Sequence, residues 1–262
     1  GLCGGNSSPC RLFTSGFAGN DALLAFLGND EVFFLDPVFE STAPGRYGNE
    51  PLSACFNPDL FRQGTRFISE YRRPGFGGGY FVAEFDQLID GSGLFRGTPA
   101  TRMRLEQRDD GELLATNLTW FSINTSAQQL RYYGSEAETT MPPTTSATVV
   151  LAPFKLNRWD LAAGQSFEQS YSSTVEDSRG ASSSQSLELK TTYLGTETIT
   201  VPAGTYTACR VLEESVETSG LGVPVRSAET QWYALGNGIL LRAESEDSFQ
   251  EFLGGTINGV AQ

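Results

Sequence analysis

The stretch that decides the fold spans residues 186–215 and reads Ser-Leu-Glu-Leu-Lys-Thr-Thr-Tyr-Leu-Gly-Thr-Glu-Thr-Ile-Thr-Val-Pro-Ala-Gly-Thr-Tyr-Thr-Ala-Cys-Arg-Val-Leu-Glu-Glu-Ser. Apolar and polar residues alternate through most of it, and β-branched and aromatic side chains are frequent, which is typical of half-buried β-strands. Pro202 and Gly204 interrupt the alternation and indicate a tight turn. The stretch therefore predicts strands on either side of that turn.

The same alternation recurs along most of the chain. Gly, Asp, Asn, Ser or Pro bound each run, as expected where strands end in turns. Between two of the runs, Asp109-Asp110-Gly111-Glu112 indicates a hairpin, because Asp-Gly tolerates the positive φ angles of a tight β-turn. We therefore expect an all-β, mainly antiparallel fold. The runs cover residues 78–87, 102–107, 113–123, 147–154, 186–194, 196–202, 205–215 and 228–234.

The sequence contains an internal repeat that extends over most of these runs. Phe67 and Tyr71 recur as Phe167 and Tyr171 at an offset of 100 residues, and each pair follows a glycine at the same spacing. Three later blocks keep their order along the chain. They pair Gly97-Thr98 with Gly204-Thr205, Trp120-Phe121 with Trp232-Tyr233, and Leu130-Arg131 with Leu241-Arg242.

The repeat predicts two tandem β modules of the sandwich type. Large aromatic residues at equivalent positions most often fill a core. We expect that role for Phe67, Tyr71, Trp120, Phe167, Tyr171 and Trp232. The predicted parts are a Cys-containing N-terminal segment over 1–55, β module 1 over 56–155, β module 2 over 156–250 and a C-terminal tail over 251–262.

One short helix is predicted near the N-terminus. Asn20-Asp21 is suited to cap a helix that begins at Ala22, and Gly28 is suited to end it after Leu27. The segment gives at most about two turns.

Composition excludes several classes of function. The 262 residues include 31 acidic and 18 basic side chains, a formal charge of −13, which is the wrong sign for binding nucleic acid. The chain contains no histidine, so catalytic triads, His-ligated zinc and imidazole acid–base chemistry are excluded. We predict no cofactor and no metal. No apolar run reaches the length of about 18 residues that a transmembrane helix needs.

The cysteines favour an oxidising compartment. An even number of cysteines in an acidic, Ser/Thr-rich chain suits disulfides, and hence export. Of the three possible pairings we favour Cys3–Cys10 with Cys55–Cys209, and one disulfide with two buried thiols is the alternative. We expect a secreted or cell-surface protein whose signal peptide has been removed, with the periplasm or the outer-membrane surface as alternatives. Glycosylation sequons occur at Asn6, Asn117 and Asn124.

Residues 199–242 resemble a known signature, whose central part covers residues 201–238. Thr198–Tyr206 contains Val-Pro-Ala-Gly-Thr, Arg210–Leu212 follows, and Thr230–Leu240 contains Trp-Tyr-Ala-Leu-Gly-Asn-Gly. This pattern resembles a β-hairpin signature of bacterial exported domains similar to the lipoprotein-carrier (LolA/LolB-like) group. The resemblance covers roughly residues 160–247 and implies a curved antiparallel sheet and an exported protein. It brings no catalytic residue with it.

Three functions follow as expectations. The first is a non-catalytic structural subunit that self-assembles into a filament or surface layer, with the apolar tail Phe252–Gln262 adding as a strand to a neighbouring copy. The second is a carrier that binds a hydrophobic ligand in a curved sheet. The third is a glycoside hydrolase, because a carboxylate pair needs no histidine. Its candidate residues are Asp86, Asp90, Glu106, Glu213 and Glu214.

Overall fold

The structure, a computed structural model, describes residues 48–75, 78–140, 145–219 and 222–262. Within these ranges it contains two 3-10 turns, Leu52–Cys55 and Pro58–Phe61, and thirteen strands. The strands are β1 (Arg66–Pro74), β2 (Tyr80–Phe95), β3 (Thr98–Asp109), β4 (Glu112–Asn124), β5 (Gln129–Thr139), β6 (Ser146–Arg158), β7 (Ser166–Asp177), β8 (Ser182–Val201), β9 (Gly204–Ser219), β10 (Pro224–Ala234), β11 (Leu240–Ser245), β12 (Phe249–Ile257) and β13 (Val260–Ala261).

All of these strands belong to one antiparallel sheet, in chain order. β1 pairs with β2 on one side and with β12 on the other, where Tyr71 lies opposite Phe252. The first twelve strands therefore form a closed barrel, and β13 only extends the end of β12 as a short hairpin.

The prediction of two tandem sandwich modules is wrong. The boundary expected between residues 155 and 156 lies inside β6, which pairs with β5 on one side and β7 on the other. Two separate sheets would each expose edge strands with unpaired backbone groups, whereas pairing β1 with β12 satisfies both ends of a single sheet. The alternation in the sequence indicates strands but does not encode which strands meet.

Alternation along each strand separates an inner from an outer face of the barrel. In β1, Phe67, Ser69 and Tyr71 are buried, and the residues between them are exposed or partly exposed. Successive side chains of a strand point to opposite faces, so the buried set lines the interior. The Asp-Gly turn between β3 and β4 has φ angles of 49° at Asp110 and 86° at Gly111, the conformation that its sequence predicts.

The two ends of the barrel differ. At one end, which we call the turn end, β1, β3, β7 and β9 finish and β2, β4, β8 and β10 begin. At the other end the two 3-10 turns lie against the barrel; we call Leu52–Phe61 the plug and this end the plug end. The Leu52 amide donates to the Leu161 carbonyl at 3.0 Å, and the Gly236 amide donates to the Ala54 carbonyl at 2.8 Å.

A disulfide fixes the plug to the barrel wall. Cys55 of the plug is bonded to Cys209 on β9, and both residues are fully buried. Aromatic contacts add to this attachment: Phe56 packs against Trp159 with ring centroids 5.6 Å apart. Cys55–Cys209 is one of the two predicted pairs, and Cys3–Cys10 lies outside the described residues.

The inner face changes from apolar to polar along the barrel. On β9 its residues from the plug end to the turn end are Cys209, Val211, Glu213, Ser215, Glu217 and Ser219. On β10 the same direction gives Tyr233, Gln231, Glu229, Ser227 and Val225. The hydrophobic core therefore fills the plug half, and charged and hydroxyl groups line much of the other half.

The predicted helix and the predicted C-terminal tail lie near opposite ends of the chain. The helix predicted over Ala22–Leu27 lies outside the described residues. The tail begins within β12, whose residues up to Ile257 pair with β1. Among the described residues, no helix has both the length and the apolar character needed to cross a membrane.

Candidate functional site

A buried ion pair crosses the barrel interior. Lys155 on β6 has a side chain only 2% exposed, and its Nζ lies 3.3 Å from Oε2 of Glu213 on β9. Because β7 and β8 separate these strands in the sheet, the contact is made through the interior. A buried ammonium group without a partner carries a large desolvation penalty, so each member of this pair holds the other in place.

Three carboxylates share the inner face of β9 and β10. Glu213 lies directly opposite Glu229, and Glu217 occupies the same face of β9 four residues further along. We call these three residues the acidic wall. Like charges directly opposite one another destabilise a sheet unless a cation offsets them, and Lys155 is such a cation beside Glu213. Burial raises the pKa of Glu217.

Hydrogen bonds continue the acidic wall towards the plug. The Tyr233 hydroxyl donates to Oε1 of Gln231, and Nε2 of Gln231 donates to Glu229. Burial raises the pKa of Tyr233 well above its ordinary value, and nearby Glu213 and Glu229 raise it further. Burial also raises the pKa of Tyr132, which faces Lys155 on the neighbouring strand. Both phenols therefore stay protonated at neutral pH.

A second cation lies on the inner face near the turn end. Arg73 on β1 is 6% exposed. Burial lowers its pKa, and the charges of Asp109 and Glu229 raise it. Burial raises the pKa of Asp109 itself. Two cations, Arg73 and Lys155, thus face Asp109 and the three carboxylates of the acidic wall within the described part of the interior.

Several buried polar atoms of the inner face have no hydrogen-bond partner within the described chain. They include Oγ of Ser135, Oγ of Ser173 and Oε1 of Gln250, in residues that are 2%, 1% and 3% exposed. Oδ1 of Asn117 belongs to the same set. Buried polar atoms in folded proteins nearly always have a partner. These four atoms therefore stand out as unsatisfied polar groups of the inner face.

Part of the inner face is exposed to solvent at the turn end. Ser183, Val225 and Ser227 occupy inner-face positions of β8 and β10, and all three are exposed to solvent. Val225, an apolar residue, is 56% exposed. Exposure at inner-face positions shows that this side of the barrel mouth is open to solvent.

A mainly apolar cavity lies beneath the plug. Its volume is about 60 Å³, and its lining includes Phe56, Phe61, Met103, Trp159 and Leu240. One water-sized group needs about 10–15 Å³ of such a cavity, so the cavity holds only a few such groups.

The structure does not bring the predicted hydrolase residues together. Only Glu213 faces the interior. The other four lie on the outer face, each beside a cation. Asp86 binds Arg66, Asp90 binds Arg102, Glu106 binds Arg104 and Arg108, and Glu214 binds Lys190. In the described part of the chain, no group of three or more His, Cys, Asp or Glu residues is arranged to hold a metal ion.

The sequons differ in accessibility. Asn117 lies on β4 and faces the interior of the barrel, where its Oδ1 is buried. Asn124 is exposed at the end of β4, where its Oδ1 accepts hydrogen bonds from the Ser126 hydroxyl and the Ala127 amide. Asn6 lies outside the described residues.

The predicted core aromatics occupy both faces of the barrel. Tyr71 is fully buried on the inner face, and its hydroxyl donates to the Leu240 carbonyl at 2.9 Å. Trp120 and Trp232 lie on the outer face, because their neighbours along each strand face inward. Each stacks with an arginine, Arg102 over Trp120 and Arg210 over Trp232. Phe67 and Tyr171 are also buried, and Phe167 is partly buried.

Sequence reasoning missed most of the interior site. Lys155, Glu217, Glu229 and Arg73 were not predicted, because inner-face position depends on the register of the whole sheet. One signal was available: Lys155 is one of only two lysines in the chain and lies at the end of an apolar run, where a buried charge would be unusual.

Comparison with known proteins gives limited similarity. No family model matches the chain, and no curated protein matches it. A solved structure of a predicted lipoprotein from Parabacteroides distasonis is similar with a TM-score of 0.45 and 12% identity, covering 75% of this chain and 96% of that one. A predicted exported protein with a YmcC-like fold from Bacteroides fragilis gives 0.45 and 11%, covering 74% and 96%. The LolA/LolB-like resemblance stays a prediction.

Proposed function

We propose that this chain is an exported, non-catalytic binding protein that holds a small polar ligand inside its barrel. The observation that carries the proposal is the set of buried, unpartnered polar atoms on the inner face, which lie in the same interior as the acidic wall. Ligands often bind in the mouths of β-barrels, because polar side chains from several strands point into the same enclosed space. Here the open side is the turn end.

The structural-subunit hypothesis has less support. It requires the C-terminal tail to add to a neighbouring copy, but β12 is paired with β1 along most of its length. Exchange would first have to open the barrel and expose two unpaired strand edges.

The two other hypotheses also fit less well. The cavity beneath the plug, at about 60 Å³, is far too small for an acyl chain. Glycoside hydrolysis needs two carboxyl groups around one bond, and the predicted candidates are divided between the two faces of the sheet. We therefore favour binding over catalysis.

Export is supported by the disulfide. Cys55 and Cys209 are bonded and fully buried, and they join the plug to β9 across 154 residues of sequence. Structural disulfides persist in oxidising compartments and are rare in the cytosol.

The proposal is tested by a thermal-shift screen against neutral sugars, polyols, amino acids, organic cations and organic anions. We expect at least one class to raise the melting temperature, since a ligand that binds only the folded state stabilises it. Isothermal titration calorimetry then gives the affinity and the stoichiometry of each hit.

A matched pair of variants locates the binding. Ser227→Trp places a large side chain at an exposed inner-face position of the mouth, and Arg226→Trp places the same side chain on the exposed outer face. Binding should be lost in S227W and retained in R226W. The proposal is wrong if no compound class binds, or if S227W binds as well as the unmodified protein.

A further inference from the structure

We propose that the ligand is an organic cation carrying ammonium groups, held against the acidic wall. This inference rests on the proposed function and names the ligand class. It starts from the charges in the described interior, where four carboxylates face two cations. The excess of negative charge favours a positively charged ligand.

The unpartnered atoms provide independent support. Oε1 of Gln250 and Oδ1 of Asn117 are hydrogen-bond acceptors only, and the hydroxyls of Ser135 and Ser173 can accept as well as donate. Gln250 also lies close to the acidic wall, because its neighbour Ala243 pairs with Gln231, which donates to Glu229. Nε2 of Gln185 is an unpartnered donor on the same face, so acceptors outnumber donors there. This balance favours a ligand rich in donors.

An ammonium group meets both requirements. It carries a positive charge and three N–H donors, and has no acceptor. A neutral sugar supplies donors without charge, and a carboxylate ligand would be repelled by Glu213 and Glu229. The acidic wall extends from Glu213 to Glu217 along β9, about 13 Å at the usual rise per strand residue. A linear polyamine, whose ammonium groups are spaced along a chain, matches this arrangement better than a compact cation.

The test is isothermal titration calorimetry with spermidine at physiological salt. The whole chain carries a formal charge of −13, so binding to the outer surface must be distinguished from binding in the interior. Glu213 and Glu214 provide a matched pair, because they are adjacent on β9 and point to opposite faces. We expect Glu213→Gln to weaken spermidine binding about tenfold or more, since it removes a buried charge. Glu214→Gln should change the dissociation constant by less than about twofold.

A second variant covers the case in which E213Q fails to fold because Lys155 loses its partner. Glu229→Gln removes a neighbouring carboxylate of the acidic wall and leaves the Lys155–Glu213 pair intact. We expect the same weakening of about tenfold, with circular dichroism showing that the variant is folded.

The outcomes separate this inference from the proposed function. Spermidine binding that is weakened by E229Q, blocked by S227W and unaffected by E214Q supports both. No spermidine binding, with a neutral compound that binds and is blocked by S227W, overturns the cation inference and leaves the proposed function standing. Spermidine binding that E229Q and S227W leave unchanged comes from the outer surface and overturns the inference.

Discussion

The outer and inner faces of the barrel hold their charges in different ways. On the outer face carboxylates sit beside arginines: Asp86 binds Arg66 at 2.5 Å and Asp160 binds Arg158 at 2.6 Å. Hydrogen bonds from these guanidinium groups lower the pKa of both carboxyl groups. On the inner face burial dominates and raises the pKa of Glu217.

This difference indicates that the ion pairs of the outer face act mainly in stabilising the fold. Outer pairs reduce charge repulsion on a strongly acidic chain, and each is a local contact between neighbouring strands or turns. The inner face concentrates carboxylates where they are partly desolvated, and there Glu213 has Lys155 as a partner at 3.3 Å. Carboxylates gathered in a partly desolvated interior are characteristic of functional sites.

The largest effect is expected from Lys155→Ala, which tests the inner ion pair. The substitution leaves Glu213 buried without its cation and should lower the free energy of unfolding by about 3–5 kcal/mol. Lys190→Ala removes the partner of Glu214 on the outer face, where the lysine side chain is 45% exposed, and should cost less than about 1 kcal/mol. Urea unfolding of both variants measures the difference. Equal losses would contradict the contrast between the two faces.

The disulfide should have the next largest effect. Replacing Cys55 and Cys209 together by serine frees the plug from β9 and should lower the free energy of unfolding by about 2–4 kcal/mol. Denaturant unfolding measures this, and ligand binding at the turn end provides the control. Because the plug closes the opposite end of the barrel, spermidine affinity should stay within about threefold of the unmodified protein. Loss of binding in a folded double variant would place the site at the plug end instead.

A smaller effect is expected from Asp86→Asn on the outer face. The folded-state pKa of Asp86 lies below its ordinary value of 3.8, so the pair with Arg66 stabilises the fold above that pH, and the stabilisation is lost as the pH falls through the folded-state pKa. The variant should be less stable than the unmodified protein at neutral pH by under about 1 kcal/mol. The two should converge below about pH 3. A constant difference across this range would show that Asp86 acts through packing.

The inner face predicts the opposite sign for Glu217→Gln. Its folded-state pKa lies above the ordinary value of 4.5, so its contribution to stability is full below that pH and is lost as the pH rises through the folded-state pKa. The variant should therefore gain stability relative to the unmodified protein above about pH 5. Melting temperatures of both proteins, measured at about five pH values from pH 4 to pH 8, give this difference in stability. A relative loss at neutral pH would mean that Glu217 has a cationic partner.

Local structure was more predictable from the sequence than architecture. The alternation over residues 186–215 and the Asp110-Gly111 turn are short-range signals, and strands and a turn occur where they indicate. Barrel closure depends on pairing between β1 and β12, which are separated along the chain by ten other strands. Similar aromatic blocks indicated two modules, because a repeated pattern of strands does not show whether its copies form two sheets or one.

The interior site was the least predictable feature. Glu213 and Glu214 are indistinguishable as neighbours in a sequence, yet one faces Lys155 inside the barrel and the other faces Lys190 outside. A shift of register by one residue would exchange their roles. The cysteine pairing was easier to predict from the sequence, since four cysteines allow only three pairings. The favoured pairing included Cys55–Cys209, which the structure contains.

The most direct test of an acidic interior open to solvent is the reaction of single introduced cysteines with small methanethiosulfonate reagents of opposite charge. Ser215→Cys places a thiol on the inner face of β9 between Glu213 and Glu217, and Val216→Cys places one on the outer face next to it. Ser215→Cys should react about tenfold or more faster with the cationic reagent than with the anionic one, and spermidine should slow that reaction. Val216→Cys should show a weaker charge preference and no protection by spermidine. An S215C thiol that reacts with neither reagent, or equally with both, would contradict the account.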